Sequence, residues 1–399
     1  MRPPASTRSH FALTFIALSI LCALAGCSGS ARRAAPGAST TASAPTSTSR
    51  QPTTTTRACR TTDVLASWTL ARLAAQTIVV PVQESDVAAV AQEVASGVGG
   101  VILFGASAPA DLARQLSDLR ASAPRGVAPF VMADEEGGAV QRMANLVGSV
   151  PSAREMGATM TPAEIEQTAR VLALRMRAVG VTMDLAPVLD VDGGPGPDDR
   201  DPDGSRSFSA NEVTASADAR AFAAGLGAGG VIAVAKHFPG LGSASGNTDV
   251  TPATTQPWSD LQRVGLVPFA DAVAARVPAI MVANAVVPGL TTLPAGISPT
   301  AITGVLRDRL GYDGLVLTDS LSAAALRDIG YAVPRAATAA LSAGADMFLS
   351  EETDPGVVTT QTVDAIVTAV RDGRISRSRL ENAVAHIVTA KGIDLCAAP

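Results

Sequence analysis

The sequence predicts a single (β/α)8 barrel of the TIM type, and three observations predict it. From about Cys59 onward, short apolar runs alternate with longer Ala-rich segments of helical spacing. There are eight runs, the count at which a parallel sheet covered by helices closes on itself. Charged and polar residues gather at the C-terminal ends of those runs. An open doubly wound sheet would alternate in the same way, but eight strands in a chain of this length favour closure.

The runs, in order, are 76–82, 98–105, 129–136, 181–191, 231–239, 279–287, 314–319 and 346–351. Each is short and nearly continuous in apolar residues, which suits a strand buried on both faces. Between them, 162–179, 211–228 and 299–310 have helical spacing and helix-favouring composition, and 378–391 forms a C-terminal Ala-rich helix. Asp134, Glu135 and Glu136 end the third run, and Asp190 the fourth. Lys236 and His237 end the fifth, Asn284 the sixth and Asp319 the seventh. In a barrel these ends converge on the face where active sites lie.

The fifth run is the most informative. Ala233-Val234-Ala235 leads into Lys236-His237 and then into the turn Phe238-Pro239-Gly240-Leu241-Gly242. Burying an amine and an imidazole at a strand end costs free energy unless something polar lies beyond them. A polar ligand held there is the simplest compensation.

The domain division follows from composition: 1–26 a leader, 27–57 a linker, 58–399 the barrel. Arg2 and Arg8 precede an apolar stretch, 11–24, that is short for a membrane span and suits a secretory leader. Leu24-Ala25-Gly26-Cys27 resembles a bacterial lipobox, in which Cys27 becomes the lipidated first residue. That predicts export and lipid anchoring to the outer face of the bacterial cell membrane. Residues 28–57 hold six Ser, eight Thr and three Pro, with no acid and no large aliphatic side chain. Such a segment cannot bury enough surface to fold and reads as a flexible stalk spanning roughly 30 Å. Cys22 leaves with the leader. Cys59 and Cys396 remain near the two ends of the barrel, and in an exported domain with neighbouring termini they are expected to form a disulfide.

Composition also excludes. The net charge is −5 and falls further when Arg2 and Arg8 leave with the leader. With no basic stripe and 3% aromatic residues, nucleic-acid binding is disfavoured. Within the barrel the histidines are His237 and His386, so a zinc site built on histidines is unavailable. Asp199, Asp201 and Asp203 before Gly204 imitate the opening of a calcium loop. The twelfth position, however, is Ala210 rather than Glu, and the acidic insert 192–204 reads as a solvated loop. No metal and no cofactor is expected. No Ser sits in a nucleophile-elbow setting, and Gly240-Leu241-Gly242 opens no dinucleotide-type helix. Carboxylates remain, and paired carboxylates are the equipment of glycoside hydrolysis.

Several segments together resemble glycoside hydrolase family 3, in its bacterial β-N-acetylglucosaminidase branch. Asp134-Glu135-Glu136-Gly137-Gly138 with Val140-Gln141-Arg142 is similar to one family block. Leu185-Ala186-Pro187-Val188-Leu189-Asp190 followed by Ser205-Arg206-Ser207-Phe208 is similar to a second. Lys236-His237-Phe238-Pro239-Gly240 and the segment from Tyr312 to Ser322 around Asp319 complete the set. The resemblance implies that Asp319 is the nucleophile of a retaining hydrolase. It also implies that Asp134, Arg142, Arg206, Lys236 and His237 hold the terminal sugar. The implied substrate is a glycan or muropeptide ending in N-acetylglucosamine.

One departure stands out. The family branch places an Asp-Ser-His triplet after the Lys-His block, and its His is the acid/base. Here the triplet reads Asn247-Thr248-Asp249, Leu241 replaces a His in the preceding turn, and Asn284 stands where the family often has His. Three readings stay open. Asp249 serves directly as acid/base, with a carboxyl pKa raised by burial or by Asp319, and with Gly242 and Gly246 letting its loop swing in. Another acid such as Glu135 serves. Or the protein binds sugar without hydrolysing it. A β-glucosidase of the same family is the remaining enzyme alternative.

Overall fold

The strands form because each run must satisfy apolar neighbours on both sides. In the computed structural model, which describes residues 59–397 apart from 125 and 353, seven parallel strands run in chain order. They are β1 (Val79–Gln83), β2 (Gly100–Phe104), β3 (Phe130–Ala133), β4 (Met183–Asp184), β5 (Ile232–Phe238), β6 (Ala279–Val282) and β7 (Leu315–Thr318). The leader, Cys27 and the linker lie outside the described residues.

The eighth run closes the sheet without forming a full strand. Met347 bridges Leu317 of β7 and Phe348 bridges Ile78 beside β1, both in parallel. Alternation along the strands explains why the runs lack polar breaks. Val79, Ile102, Ala279 and Met281 point into the barrel core, while Val80, Val101, Leu103 and Ile280 pack outward against the helical layer.

The helices follow their sequence signals closely. Helix α1 (Pro162–Val179) starts with a capping box between Thr161 and Glu164 and ends at Gly180, which has a φ of 97°. Helix α2 (Glu212–Ala228) is capped by Asn211. The two pack so closely that a Cβ on Gly225 would collide with the Glu166 carbonyl. Helix α3 covers Thr300–Arg309, and α4 covers Arg377–Ala390. No helix among the described residues is long and apolar enough to cross a membrane. Cys59 and Cys396 are bonded, with their Cα atoms 5.7 Å apart.

Two runs differ from a plain strand. The third stops at Ala133, and Glu135–Gly137 turns back to pair antiparallel with Val140–Gln141. Gly137 and Gly138 have φ of 99° and 59°, which the reversal requires and most side chains resist. The fourth run keeps only two ladder residues before Ala186-Pro187, since proline offers no amide to a ladder.

Candidate active site

The site is built from the C-terminal ends of the strands. Register between β5 and β6 shifts after Ala235 and resumes at Phe238. Regular alternation would send Lys236 and His237 to opposite faces, whereas here both line one cavity at the barrel mouth. Lys236 Nζ lies 2.7 Å from Asp134 Oδ1 and 2.6 Å from Glu136 Oε1. Arg206 grips Glu136 with two bonds, Nε to Oε2 and Nη2 to Oε1, both 2.8 Å. Arg142 Nη2 stands 3.5 Å from Asp134 Oδ2. The result is a row of alternating charges: Arg142, Asp134, Lys236, Glu136, Arg206. Burial alone would raise the Glu136 carboxyl, but the charges of Arg206 and Lys236 hold it far below the usual range. Burial would lower Lys236, yet Asp134 and Glu136 raise it, so the ammonium stays charged.

His237 is held from behind. Its Nδ1 lies 2.7 Å from Asp190 Oδ2, and Asp190 also accepts the backbone N–H groups of His237 and Leu241. Burial first, then Arg206 and Lys236, lower the imidazole to about 4, so it is neutral near pH 7. A neutral ring donating Nδ1–H to Asp190 keeps Nε2 as an acceptor. Burial also pushes Asp190 up to about 7.

Across the cavity stand three carboxyls: Asp319 after β7, Asp249 on the loop after β5, and Glu351 at the end of the eighth run. Burial raises all three, and neighbouring carboxylates raise them further, Asp134 in the case of Asp249. Asp249 adds to Asp319, and Asp249 with Asp319 adds to Glu351, which reaches about 7. Asp249 is exposed as a residue, yet it lines this cavity. Asp319 Oδ1 accepts Ser320 N–H at 2.7 Å, which favours its ionised form. The side chains of Asp249 and Glu351 accept no hydrogen bond from the described residues. Asn284 donates to the Ser320 carbonyl at 2.6 Å and so braces the backbone beside Asp319.

All the residues expected to touch sugar or perform chemistry (Asp134, Arg142, Arg206, Lys236, His237, Asp249 and Asp319) line this one cavity of about 190 Å³. Two hollows of about 610 and 620 Å³ lie elsewhere on the domain, but neither brings opposed carboxylates together.

Three expectations need correction. Glu135 does not face the cavity: it accepts the Arg142 and Met143 N–H groups at 2.8 Å and anchors the hairpin, so it is no proton donor there. Gly242 is no hinge. A Cβ there would collide with the Val191 carbonyl, and the loop is pinned where Ala324 and Ala325 N–H groups reach the carbonyls of Asp249 and Thr248. The insert 192–204 is not wholly solvated, because Asp192, Pro202 and Asp203 are buried. Sequence reasoning gave no role to Glu136, Asp190 or Glu351. The period-two alternation of the third run, which puts Asp134 and Glu136 on one face and Glu135 on the other, carried the signal for the first.

Residues 70–390 match the glycosyl hydrolase family 3 N-terminal domain. The chain is 38% identical over 273 residues to the β-hexosaminidase LpqI of Mycobacterium tuberculosis, covering 66% of this chain and 68% of that one. It is 36% identical over 262 residues to a β-hexosaminidase of Xylella fastidiosa, covering 63% and 76%. Among solved structures, M. tuberculosis LpqI superposes with a TM-score of 0.76 at 34% identity, covering 84% of this chain and 98% of that one. A family 3 β-N-acetylglucosaminidase from Paenibacillus superposes with a TM-score of 0.76 at 29% identity, covering 84% and 64%.

Proposed function

The chain belongs to glycosyl hydrolase family 3 and is a glycoside hydrolase; from that premise we propose that it is an exo-acting, retaining β-N-acetylglucosaminidase. The observation that carries the reading is the meeting of Asp319 with the Asp134–Lys236–Glu136–Arg206 row in one cavity. A volume of about 190 Å³ is below the roughly 300–1,000 Å³ of pockets that enclose drug-sized ligands, which suits one terminal sugar ring. Its substrates are muropeptide or peptidoglycan fragments ending in N-acetylglucosamine.

Asp319 attacks the anomeric carbon as the glycosidic C–O bond breaks. Asp249 gives its proton to the departing oxygen. Water then attacks the glycosyl-enzyme, returns a proton to Asp249 and frees Asp319. Asp134 and Arg142, with Lys236, Arg206 and neutral His237, orient the ring over the nucleophile. Burial raises the Asp249 carboxyl, which favours the protonated form that an acid needs. The Ser320 amide keeps the negative charge on Asp319. One observation favours Glu351 as a second candidate donor: it lines the same cavity with a carboxyl pushed up to about 7.

The test compares an activated aryl N-acetylglucosaminide with a natural disaccharide ending in N-acetylglucosamine. Wild type should cleave both, and sugar binding with no cleavage of either overturns the reading. The leader and Cys27 support an exported, lipid-anchored enzyme on the outer face of the membrane. Cys27→Ser should move the protein from the membrane fraction to the soluble one.

A further inference from the structure

Asp203 is the least explained charged group in the fold. It is fully buried, and neither carboxylate oxygen has a hydrogen-bond partner. Arg206, three residues on, gives its guanidinium to Glu136 and Pro202. Donor atoms from buried Asp190, Asp203 and His237 all lie within 4.8 Å of one another. An ionised carboxylate taken out of water needs a proton or a cation. A proton would neutralise Asp203 but leave its oxygens without partners, whereas a cation satisfies both demands.

We propose that Asp190, Asp203 and His237 form a divalent-metal site, of the class that takes zinc or a similar transition ion, behind the wall of the sugar cavity. Two carboxylates balance a divalent charge, and the imidazole nitrogen selects against calcium and magnesium, which prefer all-oxygen sites. Binding displaces the proton shared between His237 Nδ1 and Asp190. Pro202 and Arg206 on the same loop line the cavity, as does His237 itself.

The site has a positioning consequence. The Asp203 carbonyl accepts Arg206 N–H at 2.8 Å, and Asp203 immediately precedes the short turn Gly204–Arg206. An ion held by Asp203 therefore ties the insert that presents Arg206 to the strand ends that present His237. The expectation from sequence was no metal, because histidine-built zinc sites and a calcium loop both fail. One His joined to two acids from separate loops is neither a histidine-built zinc site nor a calcium loop.

Metal binding is read without any turnover measurement and is tested directly. The full chain is stripped with a chelator, dialysed and titrated with zinc sulfate by calorimetry. Wild type should take up about one ion per chain, and Asp203→Asn should weaken it by roughly 100-fold. Asp249→Asn, in the cavity but outside the cluster, should bind as wild type does. If Asp203→Asn fails to fold, histidine NMR on wild type decides: zinc should shift the His237 imidazole and leave His386 in place. No zinc uptake, equal uptake by Asp203→Asn, loss on Asp249→Asn, or a shift of His386 alone overturns the site.

Discussion

Lys236 Nζ sits 2.6 Å from Oε1 of Glu136, the same carboxylate that Arg206 holds through two bonds. One buried acid therefore fixes two of the three cations that face the sugar. Glu136→Gln keeps the shape but leaves Lys236 with Asp134 as its ion-pair partner and takes from Arg206 the carboxylate it grips. Breaking a buried pair in this way costs about 3–5 kcal/mol. Chemical denaturation of the variant should show a loss of that order, with weaker substrate binding in whatever stays folded. A loss under about 1 kcal/mol would mean that water reaches the cluster and screens it.

Asp319→Asn should abolish turnover of both aryl and disaccharide substrates, because the covalent step needs an ionised carboxylate beneath the anomeric carbon. Its thermal stability should hold or rise. Burial and Asp249 both raise the Asp319 carboxyl, so folding strains its charge, and an amide removes that strain. Substantial turnover by the variant would put the nucleophile elsewhere.

The proton donor shows itself in pH profiles. Turnover needs Asp319 ionised, so the rate falls on the acid side as it gains a proton. Turnover also needs the donor protonated, so the rate falls on the alkaline side as that proton leaves. With Asp319 raised, the acid limb of kcat/KM should lie above the ordinary aspartate value of about 3.9. Asp249→Asn should leave that limb in place, because a donor that still holds its proton there adds no charge beside Asp319. It should remove the alkaline limb and cost about 10²–10⁴-fold on the disaccharide, far less on the aryl compound. Glu351→Gln should keep the alkaline limb. The reverse pattern in the two variants would make Glu351 the donor.

How much of this was legible in sequence depended on whether a local pattern carried it. The strands were legible because a sheet covered on both faces leaves no polar break, as in 98–105 and 279–287. The two-residue β4 was not, because Ala186-Pro187 ends a ladder inside a run that stays apolar. Lys236 and His237 announced the site because their charge interrupts a buried strand. Glu351 was hidden at the end of the eighth run, where its effect comes from Asp249 and Asp319 across the cavity. Asp203 gave only a misleading local signal, the opening of a calcium loop with no Glu at its twelfth position. It lies in an acidic insert with the composition of a solvated loop, and only the fold turns it inward beside Asp190.

The Cys59–Cys396 bond joins residues separated by 337 positions. Closing so long a loop restricts the unfolded chain and is worth about 2–4 kcal/mol. Arg377 ties the same two ends, donating to the carbonyls of Ala66 and Trp68 at 2.9 and 2.8 Å. Reduction should therefore lower the denaturation midpoint without unfolding the protein at room temperature. Unfolding on reduction would show that Arg377 contributes little to the junction.

The barrel's closure has its own pH signature at Asp346, which opens the eighth run. The carboxylate is fully buried and meets Arg307 at 2.6 Å, His386 at 3.0 Å and Arg379 at 3.1 Å, and also accepts Val316 N–H. Burial would raise it, but the His386 hydrogen bond and the Arg307 and Arg379 charges together hold it below the usual aspartate value. A carboxyl whose folded pKa is depressed contributes stability that is complete above its unfolded value, about 3.9, and is lost as pH falls through the folded one. Wild type should thus lose stability as pH drops below about 4. Asp346→Asn should be less stable at neutral pH and show a shallower decline over the same range. Parallel declines in the two proteins would assign the acid sensitivity to other carboxylates, with Glu136 the first to examine.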